Sequence, residues 1–377
     1  MFSANPSEPY LFRPQSPPAV RRPYFAPIDL AQFEFKVHLI QPSRYPLCAK
    51  DVFLTAWPSS PSYRDVLLGP DDLTSAASGL PVKVDRLSTG WLPSRIRQIQ
   101  SPGKWALDLP EFNCAFRANG GFDRGSVALV AIERACGSTI CGIPLEDDLV
   151  LAIPAGTSVT ATVRPGLTYA VAIVPTSTWM EIQSVVAGTV LEQISDRPTA
   201  VRLTAGEAQT IRSQMKSMAD HLATVASDSV LPKQPPGAFV EYLGVVADAF
   251  AGADSRETGT EGSASHHFRQ ASAAEDFIRT HIREDIPIVR LCKEIGVSRR
   301  QLEYAFRTTF AVTPLEFIRA LRLNEARRLL TTARANGLSV TTIAMDVGVN
   351  HLGRFAANYR LFFGESPKET LQRAGRS

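Results

Sequence analysis

The chain has 377 residues, and no uninterrupted apolar run is longer than six, the length of that from Val127 to Ile132. A helix that crosses a bilayer needs about 20, so the sequence offers no transmembrane span. Cysteine is also scarce. Cys48, Cys114, Cys136, Cys141 and Cys292 are odd in number and lack zinc-type pairing, so they read as buried thiols. Cys136 and Cys141 alone lie close together, in "ACGSTICG", and two readings stay open for them: small core residues on a hairpin, or a thiol sensor. Histidine is nearly missing from the first half, where His38 stands alone between Leu30 and Ile182. A metal-dependent barrel enzyme needs clustered His and carboxylate ligands, so metal chemistry is disfavoured and no cofactor is expected. No Gly-x-Ser-x-Gly nucleophile motif is present, which further disfavours an enzyme. The Pro- and Ser-rich stretch from Met1 to Pro27 lacks the apolar core of a secretory signal. It is expected to be a disordered or polyproline-like arm, and the protein is expected to stay in the cytoplasm.

What the chain does contain changes along its length. Between about residues 28 and 185 lie short runs rich in Val, Ile, Phe and Thr, among them "FEFKVHLI", "SVALVAI", "DLVLAI", "SVTATV" and "TYAVAIV". Pro-Ala-Gly and Arg-Pro-Gly turns separate the last three, favouring a meander or double-sheet barrel, preferably a jelly-roll or cupin-like one. Residues 186–252 then read as a helix pair. Thr204 and Glu207 form a capping-box pattern ahead of Ile211, Met215, Met218, Leu222 and Val225, and a second helix carries Phe239, Leu243, Val246 and Phe250. The two could pair, cover the barrel, or meet their copies in a homodimer. Residues 253–270 carry Gly, Ser, Thr and charge without periodicity and read as a linker. Residues 271–377 read as entirely helical, so the expected fold class is a multidomain α+β protein.

Charge follows the same division. Residues 271–377 hold 17 basic and 11 acidic side chains, against 23 and 26 in the rest. An excess of that sign suits a nucleic-acid partner.

The last third also repeats itself. "IVRLCKEIGVSRRQLEYAFRTTFAVTPLEF" aligns with "VTTIAMDVGVNHLGRFAANYRLFFGESPKET", matching Leu291 with Ile343, Gly296 with Gly348, Phe306 with Tyr359 and Pro314 with Pro367. Each copy predicts a short helix, a glycine turn at positive φ, and a second helix opened by Ser298 or by Asn350 or His351. With Leu302, Phe306, Phe355 and Tyr359 inward, the outward faces carry Arg299, Arg300, Glu303, Tyr304 and Arg307, and then Leu352, Gly353, Arg354, Ala357 and Arg360. Arg reads guanine bidentately, Glu accepts from cytosine, and Gly or Ala permits close approach to a major groove. Between the copies, "PLEFIRALRLNEARRLLTTA" predicts a helix with Phe317, Leu321 and Leu329 inward. Its Arg319, Arg322, Arg327 and Arg328 are left open between phosphate contact and solubility.

These two passages resemble the DNA-binding domain of AraC/XylS-family transcription regulators. The wording "HLGRFAANYRLFFGESP" is especially similar to the branch containing the ethanolamine-utilisation regulator. One departure is Val349, where the family often has an aromatic residue. The resemblance implies that both second helices lie in double-stranded promoter DNA. Carried over position by position, the base-facing candidates are Arg300, Glu303 and Tyr304 in the first and Gly353, Arg354 and Ala357 in the second, within a wider DNA-binding set that adds Ser298, Arg299, Arg307, His351 and Arg360. It further implies an activator acting on RNA polymerase, with an effector-binding and dimerising cupin-like domain upstream. In that domain Trp57, Trp91, Trp105, Phe116, Arg117 and Trp179 are the candidate effector contacts, Arg117 suiting an anion. The alternatives are a ligand-independent or thiol-sensing DNA-binding regulator, or a metal-dependent cupin enzyme carried to DNA.

Overall fold

The computed structural model describes residues 62–68, 82–89, 93–101, 105–122, 125–188, 195–227, 235, 237–252, 263–332, 338–349 and 351–374. The expected N-terminal arm, Trp57, Trp91 and His38 lie outside these residues. The strands are β1 (Ser62–Leu68), β2 (Val82–Arg86), β3 (Ser94–Ser101), β4 (Trp105–Phe112), β5 (Phe116–Gly121), β6 (Ser126–Arg134), β7 (Thr139–Ile140), β8 (Ile143–Pro144), β9 (Leu149–Ile153), β10 (Ser158–Val163) and β11 (Leu167–Pro175). Helix α1 (Thr176–Ala187), strand β12 (Thr199–Arg202) and helices α2 (Ala205–Ser227) and α3 (Gly237–Ala251) follow. The helical third comprises α4 (Ser263–Thr280), α5 (Ile288–Ile295), α6 (Arg299–Phe310), α7 (Pro314–Thr332), α8 (Val340–Asp346), α9 (Leu352–Phe363) and α10 (Pro367–Arg373).

The strands form two sheets and do not close into a barrel. The larger runs β1-β3-β4-β11-β6-β9-β12 and the smaller β2-β5-β10-β7-β8, and every pairing is antiparallel. The Pro-Ala-Gly and Arg-Pro-Gly turns are present, with Gly156 at φ +75° and Gly166 at φ +93°. They carry the chain from β9 across to β10 and back to β11, so consecutive strands change sheet instead of forming a meander. The arrangement is a two-sheet sandwich: the double-sheet expectation holds, and its closure into a barrel is corrected.

β4 and β6 are buried along nearly their whole length, because the larger sheet is covered on both faces. One face meets the smaller sheet. Against the other pack α1, α2 and α3: the Trp105 ring lies 5.2 Å from Phe239, Trp179 stands edge-on to Phe250, and the Tyr242 hydroxyl donates to the Leu129 carbonyl at 2.9 Å. The seam of α2 is buried at Ile211, Met215, Met218 and Leu222, and Thr204 and Glu207 form the expected cap. Of the three options for the helix pair, two are realised together: the helices pack against each other and over the sheet.

α4 begins at Ser263, inside the stretch read as a linker, and continues through Thr280. Phe268, Ala271, Ala274, Glu275 and Ile278 place one side of it against the sandwich and α6, and tertiary burial overrides the polar composition. From α4 onward one hydrophobic cluster runs through all seven helices and reaches back to Leu87 of the sandwich.

Candidate nucleic-acid interface

The two repeated units fold as matching pairs, α5–α6 and α8–α9. Gly296 at φ +72° and Gly348 at φ +73° take the turns, a backbone region nearly free of strain only for glycine. Ser298 caps α6 in a complete capping box with Gln301, and Ser366 does the same for α10 with Glu369. α9 opens differently. His351 is its N-cap but makes no side-chain capping bond.

On α6, Leu302, Ala305, Phe306, Thr309 and Phe310 are buried, while Arg299, Arg300, Tyr304 and Arg307 are exposed. Glu303 is half-buried and accepts a 3.0 Å bond from Arg299 one turn earlier. On α9, Phe355, Tyr359, Phe362 and Phe363 are buried and His351, Gly353, Arg354, Ala357 and Arg360 are exposed. Gly353 needs no special φ, and a methyl group added to it would meet nothing within 4 Å, so nothing inside the fold calls for a glycine there. Each second helix thus turns one apolar side to the shared core and leaves a basic side in solvent.

The arginines of α7 are mostly committed elsewhere. Arg327 is 7% exposed, pairs with Glu365 at 3.0 Å and lies over the Phe363 ring. Arg322 donates to the carbonyls of Ile282 and Glu284, and Arg328 pairs with Asp85 and Glu325. Arg319 is the exposed one of the four. The sequence could not reveal this, because Asp85 lies 243 residues from Arg328.

Two contacts beside α6 were also beyond sequence reasoning. His267 of α4 stands 4.7 Å from the Tyr304 ring, and Arg164, in the loop between β10 and β11, donates to the Thr308 carbonyl at 3.2 Å. The sandwich therefore touches the C-terminal half of the first exposed helix.

A family model described as a helix-turn-helix domain matches residues 291–373. Over 163 residues the chain is 32% identical to the XylDLEGF operon transcriptional activator of Pseudomonas putida, covering 42% of this chain and 49% of that one. Its helix-turn-helix third is of the AraC/XylS type. A second relative, the HTH-type transcriptional regulator CdhR of Pseudomonas aeruginosa, is 36% identical over 89 residues, 24% of this chain and 26% of its own. A solved structure of a probable AraC family transcriptional regulator from Rhodopseudomonas palustris CGA009 is 36% identical, with a TM-score of 0.27, covering 28% of this chain and 97% of that one. The chain spans about half the length, or less, of these two curated relatives.

Away from the helix-turn-helix units, a cavity of about 110 Å³ lies between the two sheets. Its walls are apolar apart from Asp108 and Tyr169. Burial, then the charge of Asp108, pushes the Tyr169 phenol well above its ordinary range. The described candidates for effector contact sit elsewhere: Trp105 and Trp179 are on the helix-covered side of the larger sheet, and Arg117 is 1% exposed and bound to Glu275 of α4. Phe116 does line the cavity.

Cys136 and Cys141 both have positive φ, 49° and 51°, and each precedes a glycine that does too. Cys141 and Gly142 form the two-residue turn joining β7 to β8. Cys136 is exposed, and burial pushes the half-buried Cys141 thiol up, which disfavours the reactive thiolate. Among the described residues no group of three His, Cys, Asp or Glu could hold a metal, and no helix is long and apolar enough to cross a membrane.

Proposed function

We propose that this chain is an effector-responsive, sequence-specific DNA-binding activator that sets α6 and α9 into two adjacent major grooves of a promoter. The observation that carries the reading is the duplication of one unit, each copy exposing a basic helix side from a common core. The 19 residues of α7 lie between them and span ~28 Å, close to the ~34 Å that separates successive groove openings on one face of B-DNA. Arg300, Glu303 and Tyr304 are assigned to base reading in the first helix and Arg354 in the second, where Gly353 and Ala357 leave room for close approach. Ser298, Arg299, Arg307, His351 and Arg360 are assigned to phosphates and to the groove edges. The name of the Pseudomonas putida relative supports activation rather than repression, which makes RNA polymerase the expected partner.

The test is selection of DNA by the full chain from a random duplex pool. The expected winner has two short sequence blocks one helical turn apart. On that site Arg354→Ala is expected to weaken binding by about 1–3 kcal/mol while a random duplex is little affected. Equal loss on both duplexes would make Arg354 a phosphate contact.

A further inference from the structure

Tyr304 stands apart on the exposed side of α6. Arg299, Arg300, Glu303 and Arg307 around it are charged, whereas it is a large ring, 58% exposed. The backbone beneath it has little freedom. The Ser298–Gln301 capping box fixes the start of the helix, and Leu302, Ala305 and Phe306 are buried beside Tyr304. At the far end the Arg164 guanidinium donates at 3.2 Å to the Thr308 carbonyl, one of the four that close a helix without an intrahelical partner. What remains to be set is the side chain itself. On a helix a long side chain takes χ1 near 180° or −60°. The two settings send a phenol hydroxyl in different directions, and a hydrogen bond to a base edge requires one of them.

His267 of α4 supplies that restraint. Its ring lies 4.7 Å from the Tyr304 ring at 69°, the edge-to-face arrangement that aromatic pairs favour, and a second rotamer would forfeit the contact. His266 stands edge-on to His267 in turn, 5.9 Å away. His267 is itself held from the sandwich. The next residue, Phe268, packs so closely on the β7–β8 turn that a Cβ on Gly142 would fall 2.7 Å from its ring, and Arg117 lies over the same ring. One turn further along α4, Ala271 and Ala274 are wholly buried, and α4 packs along α6. His267 and Phe268 both precede residues 291–373, the part of the chain that matches the helix-turn-helix model.

Immobilising a free side chain at an interface weakens binding by about 2- to 10-fold, and a ring already held on the protein escapes that cost. Because one rotamer is held, the gain goes to the base that this rotamer meets. We propose that His267 is a positioning residue for base reading: its ring fixes Tyr304 before DNA arrives, so that an element outside the repeated units sets discrimination at one base pair. The inference rests on the DNA-reading proposal above and adds a determinant of specificity to it.

The test uses the full chain and the duplex selected from the random pool, with a set of duplexes that change one base pair of that site at a time. Tyr304→Ala is expected to lose discrimination at one position of the first block. His267→Ala should lower discrimination at that same position by about 3- to 10-fold and leave the other positions within about 2-fold of the native chain. His267→Phe, which keeps a ring edge beside Tyr304, should restore it. In the Tyr304→Ala chain, His267→Ala should change discrimination no further. A phosphate contact by His267 would instead weaken all duplexes alike, and a role in folding alone would not single out one base pair. Either result overturns the inference, as does a His267→Phe chain that fails to recover. Should His267→Ala fail to fold, His267→Leu, which fills the space without an aromatic edge, decides by the same criterion. If no site is selected, or Tyr304→Ala discriminates as the native chain does, base reading by Tyr304 is rejected and the inference with it. Loss of discrimination in Tyr304→Ala beside full discrimination in His267→Ala rejects the inference alone.

Discussion

At the scale of single residues, four helix ends among the described residues of the last third adopt positive φ, and three of them use glycine: Gly296, Gly348 and Gly364. The fourth is Ala311, at φ +61°, which ends α6 where Gly364 ends α9. An L-residue in that region costs about 1–2 kcal/mol, partly offset by the extra unfolded-state freedom of glycine. Ala311→Gly is therefore expected to stabilise the chain by about 0.5–1 kcal/mol in urea unfolding, and a destabilisation would show that its methyl group packs. The two turn glycines should part company in the same assay. A Cβ at Gly296 meets nothing within 4 Å, whereas one at Gly348 would lie 2.9 Å from the Arg283 carbonyl oxygen and 3.0 Å from that of Ile282. Gly296→Ala should cost the backbone strain alone, about 1 kcal/mol, and Gly348→Ala about 1–2 kcal/mol more for the steric clash. The turns were legible in the sequence because glycine reports a local backbone need. The close approach at Gly348 was not, since the carbonyls it meets lie some 65 residues away. Arg117 was misplaced for the same reason: its partner Glu275 is 158 residues distant, and no local pattern distinguishes an arginine facing a ligand from one paired across a domain seam.

Among the elements, α6 and α9 were readable from their 3.6-residue apolar period, their caps and their repetition, whereas α4 was half missed. Its first turns, "SASHHFRQ", are polar and carry no cap signal, and their helicity depends on what they pack against. That packing centres on Glu275, 3% exposed, which holds Arg117, Asn119 and Arg279 together. Removing one partner of a buried pair leaves the other charge without compensation, so Glu275→Ala is expected to cost about 3–5 kcal/mol. Replacing both partners with apolar residues, Arg117→Met with Glu275→Leu, should cost less than the single change. A double-mutant cycle by chemical denaturation checks the coupling, and additivity of the two single changes would mean that the pair contributes nothing of its own.

Across the whole molecule the described residues stack as layers: helices α1 to α3, the larger sheet, the smaller sheet, and the helix-turn-helix domain docked on its outer face. A double-sheet arrangement was among the readings the strands and turns allowed, but the strand order was not legible, since it depends on which turns cross between layers. The docking seam could not be anticipated at all. Its most enclosed carboxylate is Asp85, fully buried between Arg279 and Arg328. Burial alone would raise its pKa, but the two guanidinium groups outweigh burial and hold it below the ordinary aspartate value. A carboxyl depressed in the folded state binds fewer protons there than in the unfolded chain, so its contribution is complete above about pH 4 and fades as pH falls through the lower folded value. Asp85→Asn is accordingly expected to cost about 3 kcal/mol at neutral pH, with the difference from the native chain constant from pH 7 down to about 4 and shrinking below that. Denaturation curves for both chains across pH 2–7 would check it. A gap that stays constant to the lowest pH would mean that Asp85 is held by shape rather than by charge, and the seam would then owe its cohesion to Asn324 and the apolar contacts around Leu87.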